Sequence, residues 1–91
     1  MSLSTVDIDR AWLKLGMQIK DKRDRWALFV HNGKVIVRTG RSLGSGKLGG
    51  NIPHFIRQQM RLDPAQFQDL IACPLKRDDY IRILSDKGLI L

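Results

Sequence analysis

The pattern of apolar and polar positions begins with an amphipathic helix. Its apolar residues recur at intervals of four and three, as on one face of an α-helix: Ile8, Trp12 and Leu15. Ser4, followed three residues later by Asp7, is typical of a capping box, with Asp in place of Glu. Gly16 favours an end to the helix, because glycine readily adopts the conformation that follows a helix.

Residues 17–39 have the pattern of three strands. After the short run MQIK and a charged connection, RWALFVHNGKVIVRT contains two β-rich runs around Asn32-Gly33, the pair best suited to a type I′ turn. This turn predicts a register from His31 opposite Lys34 to Trp26 opposite Thr39. One face is then predicted to be core: Trp26, Leu28, Val30, Val35, Val37 and Thr39. The other is mixed and leaves polar side chains available to a ligand: Ala27, Phe29, His31, Lys34, Ile36 and Arg38.

A second amphipathic helix is predicted after a glycine-rich loop. Asn51 is a candidate N-cap, and Pro53 is tolerated in the first turn. Its apolar stripe has a helical period: Ile52, Phe55, Ile56 and Met60. The opposite face carries no acidic residue and offers donors suited to phosphate or RNA sugar: His54, Arg57, Gln58 and Arg61.

Two further short helices are predicted in the last third of the chain. Asp63 and Gln66 form a capping pair with proline between them, and the buried side of that helix would hold three residues: Phe67, Leu70 and Ile71. The last helix begins near Arg77, ends at Gly88, and would place three residues inward: Tyr80, Ile83 and Leu84. The apolar tail LIL would pack on the domain or on a second copy in a homodimer.

This order of elements predicts an α+β fold. An α-β-β-β-α core of about residues 5–62 would be followed by a helical extension of about residues 63–91, all within a single domain of 91 residues. Whether the two extra helices cover the exposed face of the sheet is left open by the sequence.

Charge adds a preference for a polyanionic partner. The net charge is +7, the pI is about 10.2, and all nine acidic residues are aspartates. Ten of the sixteen basic residues lie between Lys20 and Arg61, where there are two acidic residues. Such clustering favours nucleic acid, because basic side chains release counterions from phosphates. The predicted contacts are Lys34, Arg38, Arg41, Lys47, His54, Arg57, Gln58 and Arg61.

Several other kinds of site are not favoured. The loop GRSLGSGKLGG fails the phosphate-binding pattern of nucleotide hydrolases, because Gly40 and Gly46 are too far apart and Leu48 replaces the hydroxyl. We read it as a mobile connection. The histidines and the cysteine lack metal-ligand spacing, so no metal or cofactor is expected. Cys73 is interpreted as a small packed residue at a helix end. No membrane segment or signal peptide is expected, and a cytoplasmic location is favoured.

A family resemblance accompanies these observations. KLGMQIKDKRDRWALFVHNGKVIV, then a loop, then IRQQMRLDPAQF resembles the HicA-type toxins, whose members carry Leu-Gly-Phe before a short strand and Gly-Ser-His-x-x-Phe on the next strand. The resemblance covers about residues 10–67. It implies a fold like that of double-stranded-RNA-binding domains, an RNA-facing surface, mRNA cleavage and an antitoxin partner.

The catalytic histidine of that family has no counterpart here. Without gaps, Gly-Ser-His falls on Asp24, Arg25 and Trp26, and tryptophan cannot exchange a proton with RNA. We therefore predict a domain that binds double-stranded or structured RNA without the family's chemistry. One alternative is an interaction module for an acidic, antitoxin-like protein. Another is a residual ribonuclease that uses His54 or His31 beside a cation.

Overall fold

The computed structural model describes residues 3–44, 46–72 and 74–90. Cys73, for which a packed position was predicted, lies outside the described residues. The elements follow the predicted α+β order: α1 (Thr5–Lys14), β1 (Gln18–Asp21), β2 (Asp24–His31), β3 (Lys34–Ser42), α2 (Ile52–Gln59), α3 (Pro64–Ile71) and α4 (Arg77–Asp86). An α-β-β-β-α unit is thus followed by two short helices.

Helix α1 begins with the predicted capping box. The Ser4 hydroxyl accepts a hydrogen bond from the Asp7 amide at 3.3 Å, and the Asp7 carboxylate accepts one from the Ser4 amide at 3.0 Å. These bonds, the Ser4 backbone bond first, hold the pKa of Asp7 below its ordinary value. Gly16 follows the helix with φ +69°, so it ends α1 as predicted. Ile8, Trp12 and Leu15 are buried, which confirms the predicted stripe.

The three strands form an antiparallel sheet in the order β1-β2-β3. The tight turn at Asn32-Gly33 has positive φ at both residues, and His31 faces Lys34 as predicted. Beyond Val30 and Val35 the predicted register is wrong. A β-bulge between Phe29 and Val30 shifts the pairing by one residue, so that Trp26 faces Gly40 rather than Thr39.

The bulge and the packing of the helices reverse the predicted face of β2. The face that packs on the helices, here called the covered face, consists of Ala27, Phe29, Val37, Thr39 and Arg41. The other, here called the open face, includes Lys20, Trp26, Leu28, Arg38 and Gly40. Val37 and Thr39 are buried as predicted. Trp26 and Val35 are exposed, and Leu28 and Val30 are half-buried, so these four were wrongly placed in the core.

Helices from both halves of the chain pack on the covered face. The Thr39 hydroxyl donates to the Gln59 side chain of α2 at 2.7 Å. The ring of Tyr80 in α4 meets Phe29 edge to face, with ring centroids 4.8 Å apart. One cluster of buried apolar residues extends from Leu3 to Ile90. The C-terminal helices therefore complete the core on the same side as α1 and α2 and leave the open face uncovered.

Arg77 joins α4 to two earlier parts of the chain. Its guanidinium donates to the Leu15 carbonyl at the end of α1 and to the Val30 carbonyl of β2, the latter at 3.1 Å. The same group lies over the Phe29 ring, 4.5 Å from its centroid. This side chain fixes α4 across the covered face.

The prediction for the apolar stripe of α2 is correct for two of its four residues. Ile56 and Met60 are fully buried. Ile52 and Phe55 are exposed, Phe55 by 54%, because they lie towards the margin of the sheet beside Trp26 and Gly40. The capping pair of α3 is confirmed, since the Asp63 carboxylate accepts from the Gln66 amide at 2.7 Å. Phe67, Leu70, Tyr80 and Leu84 are buried as predicted, while Ile71 and Ile83 are partly buried.

No helix within the described residues combines the length and the apolar character that a membrane crossing requires.

Candidate nucleic-acid interface

Four of the predicted contact residues lie on the outer side of α2. His54, Gln58 and Arg61 are exposed, and Arg57 is half-buried. Lys87, which follows α4, reaches this group by donating to the Arg61 carbonyl. We call His54, Arg57, Gln58, Arg61 and Lys87 the α2 surface. It brings three cations, an amide and an imidazole together from two helices that are distant in the sequence.

Arg57 is held in place within the α2 surface. One guanidinium nitrogen donates to the Leu62 carbonyl at 2.9 Å, and the other lies 2.9 Å from His54 Nδ1. Guanidinium has no acceptor, so in this hydrogen bond Nδ1 is the acceptor, and Nε2 is left as the ring's N–H donor. The pair therefore presents a positive charge and an N–H donor side by side.

Arg61 adopts an uncommon backbone conformation. Its φ is +62°, in the left-handed region that favours glycine. It stands at the end of α2 in a Schellman motif, where its amide donates to the Gln58 carbonyl and the Leu62 amide donates to the Arg57 carbonyl. Glycine is the usual residue at that position, so the fold itself does not call for arginine there.

Arg41 does not belong to the accessible surface and is removed from the candidate contacts. It is 6% exposed, on the covered face. Its guanidinium forms two bonds to Asp9 of α1, at 3.0 and 2.8 Å, and further bonds to the Ser42 and Gly44 carbonyls. Arg25 completes the cluster by bonding Asp9 and Asp21. The bond from Arg25 lowers the pKa of Asp21.

The remaining predicted contacts are exposed but separated. Lys34 lies at the hairpin turn, and Arg38 lies on the open face. Lys47 lies in the glycine-rich loop, where it forms an isolated bridge with Ser4. These three residues are available to a ligand, yet they do not form one cluster with the α2 surface.

The glycine-rich loop is attached to the start of α1 and is not the free connection that we predicted. The Thr5 amide donates to the Gly46 carbonyl at 2.9 Å, and the Leu48 amide donates to the Leu3 carbonyl at 2.7 Å. The Gly46 amide donates to the Thr5 hydroxyl. Because the amides of Gly46 and Leu48 already have acceptors, they are not free to bind an anion.

Sequence reasoning missed residues on two surfaces. Lys87 was missed because its position beside Arg61 follows from tertiary packing across the chain. Trp26 was assigned to the core, but it is 36% exposed on the open face. It lines a depression of about 370 Å³ with four other residues: Lys20, Lys22, Leu28 and Arg38. The density of basic residues near Lys20 could have indicated this surface. Nothing in the sequence indicates the bulge that exposes Trp26.

The two histidines are not arranged as an acid–base pair. His31 is half-buried and shares a depression with Lys34 and Ile36, whereas His54 bonds Arg57 on α2. The depression lined by His31 does not include His54. Trp26, which takes the place of the catalytic histidine in the HicA-type resemblance, contributes no proton-transfer group.

Comparisons of the chain with protein-family models, with curated proteins and with solved structures gave no match. Function is therefore inferred from the arrangement of the side chains.

Proposed function

We propose that this domain binds structured RNA through the phosphate backbone, with the α2 surface as its main contact. The observation that carries the proposal is a difference between two groups of cations. One group forms salt bridges with carboxylates, and the other, on the α2 surface, does not do so within the described residues. The salt bridges in residues 3–44, 46–72 and 74–90 all use Arg25 or Arg41, with Asp9 or Asp21 as acceptor. The cations of the α2 surface have no carboxylate partner in the same part of the chain.

One carboxylate borders the α2 surface, and the balance there stays positive at three cations to one anion. Asp63 borders the depression lined by Arg57, Arg61 and Lys87, but its carboxylate caps α3 by accepting from Gln66. Unpaired cations on one exposed surface create a positive potential that attracts a polyanion and releases its counterions. Phosphate oxygens are suitable acceptors for the donors present, which are guanidinium, ammonium, amide and imidazole N–H groups.

The strained position of Arg61 also supports this surface as a binding site. A non-glycine residue in the left-handed region costs roughly 1 kcal/mol or more. Strain of this size is commonly kept where a side chain serves a ligand rather than the fold. In this proposal, arginine stands where glycine would be more stable because its guanidinium contacts phosphate.

The order of elements favours RNA with double-stranded segments. An α-β-β-β-α order resembles that of double-stranded-RNA-binding domains, which recognise shape and backbone across the minor groove. Such recognition uses Arg, Lys and Gln contacts to phosphate and to the 2′-hydroxyl, and it needs few contacts to base edges. Exposed Gln58 between Arg57 and Arg61 suits this mode.

The test is a titration of blunt-ended double-stranded RNA at several salt concentrations with the native protein and three variants. Arg61→Gly should raise the melting temperature, because it relieves the left-handed strain, and should lower the salt slope by about one phosphate contact. Arg57→Gln should lower the slope by a similar amount. Arg10→Gln removes an equal charge from an exposed position on helix α1 and should leave the slope unchanged.

Four outcomes would contradict the proposal or change it. If the salt slope of RNA binding is unchanged in Arg61→Gly and Arg57→Gln, the α2 surface does not contact RNA. An equal loss with Arg10→Gln would indicate attraction by net charge alone. No RNA binding even at low salt would favour the alternative partner, an acidic protein. Loss of full-length RNA on a denaturing gel, abolished by His54→Gln or His31→Gln, would show that the domain is a ribonuclease.

A further inference from the structure

The open face carries an aromatic side chain whose position is fixed by the strand beside it. Trp26 of β2 faces Gly40 of β3, and a Cβ added at Gly40 would lie 2.8 Å from Cε3 of the indole. Gly40 does not have the positive φ that many other glycines of the chain show. Glycine is therefore needed at this position because it has no side chain, which lets the indole lie against the backbone of β3.

One side of the indole consequently rests on the sheet while part of the ring, 36% of the residue, stays in contact with solvent. The cross-strand contact accounts for where the ring lies, since an aromatic residue often shields a glycine on a neighbouring strand. It does not account for the charged residues around it. Large exposed aromatic groups with a fixed orientation are typical of binding surfaces, because little side-chain entropy is lost on contact.

Cations surround the exposed part of the ring. Lys20 of β1 is the strand partner of Trp26, and the Arg38 guanidinium lies 5.9 Å from the ring centroid. Lys22 borders the same depression, whose lining includes no acidic residue. None of these three cations forms a salt bridge within the described residues. Asp24 lies on the other side of Trp26, towards α2, and limits the positive region in that direction.

A flat aromatic surface bordered by unpaired cations fits one class of ligand, an unpaired nucleotide. A base would stack on the indole, and the phosphates on either side would meet the ammonium and guanidinium groups. The depression, about 370 Å³, falls within the range of roughly 300–1,000 Å³ that is usual for small-molecule sites. A base in the interior of a duplex cannot use this surface, because both of its faces are already stacked on neighbouring pairs.

We propose that the open face binds an unpaired nucleotide of RNA, with the base stacked on Trp26 and its flanking phosphates on Lys20, Lys22 and Arg38. The inference rests on the proposed function in that the ligand is RNA. It adds a second contact surface and narrows the substrate class to RNA that presents unpaired bases. The α2 surface takes no part in this contact.

The test measures binding of a single-stranded RNA oligonucleotide and a blunt duplex of equal length to three proteins. Trp26→Leu keeps an apolar side chain over Gly40 but removes the aromatic face, and it should weaken single-strand binding about tenfold. Trp26→Phe keeps an aromatic face and should retain most of the affinity. Duplex affinity should be unchanged in both variants. Far-ultraviolet circular dichroism would show whether each variant is folded.

A spectroscopic measurement tests stacking directly. Trp12 is fully buried, so the single-strand complex should quench the fluorescence of exposed Trp26 in the native chain and should not do so in Trp26→Phe. Equal single-strand affinity in Trp26→Leu, or no quenching in the native chain, would overturn the inference while leaving the duplex result intact. If the native protein does not bind the duplex but single-stranded RNA still quenches its fluorescence, the proposed role of the α2 surface is wrong. Absence of both would overturn both proposals.

Discussion

The two faces of the sheet each place an arginine beside an aromatic ring, and the two pairs differ in what surrounds them. On the covered face, Arg77 lies over Phe29 and donates to the Leu15 and Val30 carbonyls. On the open face, the Arg38 guanidinium lies over Trp26, 5.9 Å from the ring centroid, and forms no salt bridge within the described residues. The same chemistry stabilises the fold where its donors are satisfied and remains available to a ligand where they are not.

Strand β3 shows the same contrast within four residues. Arg38 and Arg41 lie on opposite faces, because the side chains of a strand alternate. Arg41 is buried against Asp9, whereas Arg38 is exposed. Residue type and sequence position alone therefore do not distinguish a structural arginine from a binding one. Burial and a carboxylate partner do.

The largest expected loss of stability is found by comparing the aromatic residues of the two faces. Phe29→Ala should destabilise the domain by about 3–5 kcal/mol, because it removes a fully buried ring and leaves a cavity beside Tyr80. Trp26→Ala should cost about 1 kcal/mol or less, the scale of a cross-strand pair. Thermal and denaturant unfolding of the two variants would measure this difference. A larger loss from Trp26→Ala than from Phe29→Ala would contradict the assignment of the faces.

The assignment of faces is also where sequence reasoning failed. Asn32-Gly33 correctly predicted the turn and the first pairs of the hairpin. The register was then extended without the bulge between Phe29 and Val30, which changes which residues of the two strands share a face, so that Phe29 rather than Trp26 lies on the covered face with Val37 and Thr39. Periodicity of a short apolar run cannot reveal an extra residue, because VIV reads equally well in either register.

Local signals gave better predictions than long-range ones. Both capping boxes, at Ser4 and at Asp63, are present as the sequence indicated, because each depends on residues three apart. The donors of α2 were likewise found from helical period. Lys87 and the burial of Arg41 depend on contacts between distant segments, with α2 and with Asp9. No local pattern in the sequence contains that information.

The second prediction compares the two arginines of β3. Arg41→Gln should destabilise the domain by about 2–3 kcal/mol, since it leaves Asp9 with Arg25 as its remaining partner and Asp9 is partly exposed. Arg38→Gln removes the same charge and should change stability by no more than about 0.5 kcal/mol. Denaturant unfolding measures both effects.

RNA binding should reverse the order of these two variants. Arg38→Gln should weaken binding of single-stranded RNA, whereas Arg41→Gln should leave it unchanged at a temperature where the variant is folded. Equal effects of the two substitutions on affinity would show that net charge, rather than the open face, determines binding.

Among the residues of the covered face and the helices on it, the smallest expected loss of stability concerns Tyr80, which packs on Phe29. Its hydroxyl donates to the Met60 carbonyl at 2.7 Å, so Tyr80→Phe should cost about 1 kcal/mol near neutral pH. Burial raises the pKa of Tyr80 above its ordinary value of 10.0, against a smaller lowering by the Arg61 charge. The folded state therefore holds the proton more tightly than the unfolded state.

The stability of the domain should therefore depend on pH, and Tyr80→Phe should remove this dependence. The stabilisation from the raised pKa is complete below pH 10.0 and is lost as the pH rises from there towards the folded-state pKa. Native protein should lose stability more steeply above that pH than Tyr80→Phe, and phenolate absorbance should appear together with unfolding. Phenolate absorbance that appears in the folded protein near the ordinary pKa would show that Tyr80 is accessible to water, contrary to its place against the covered face.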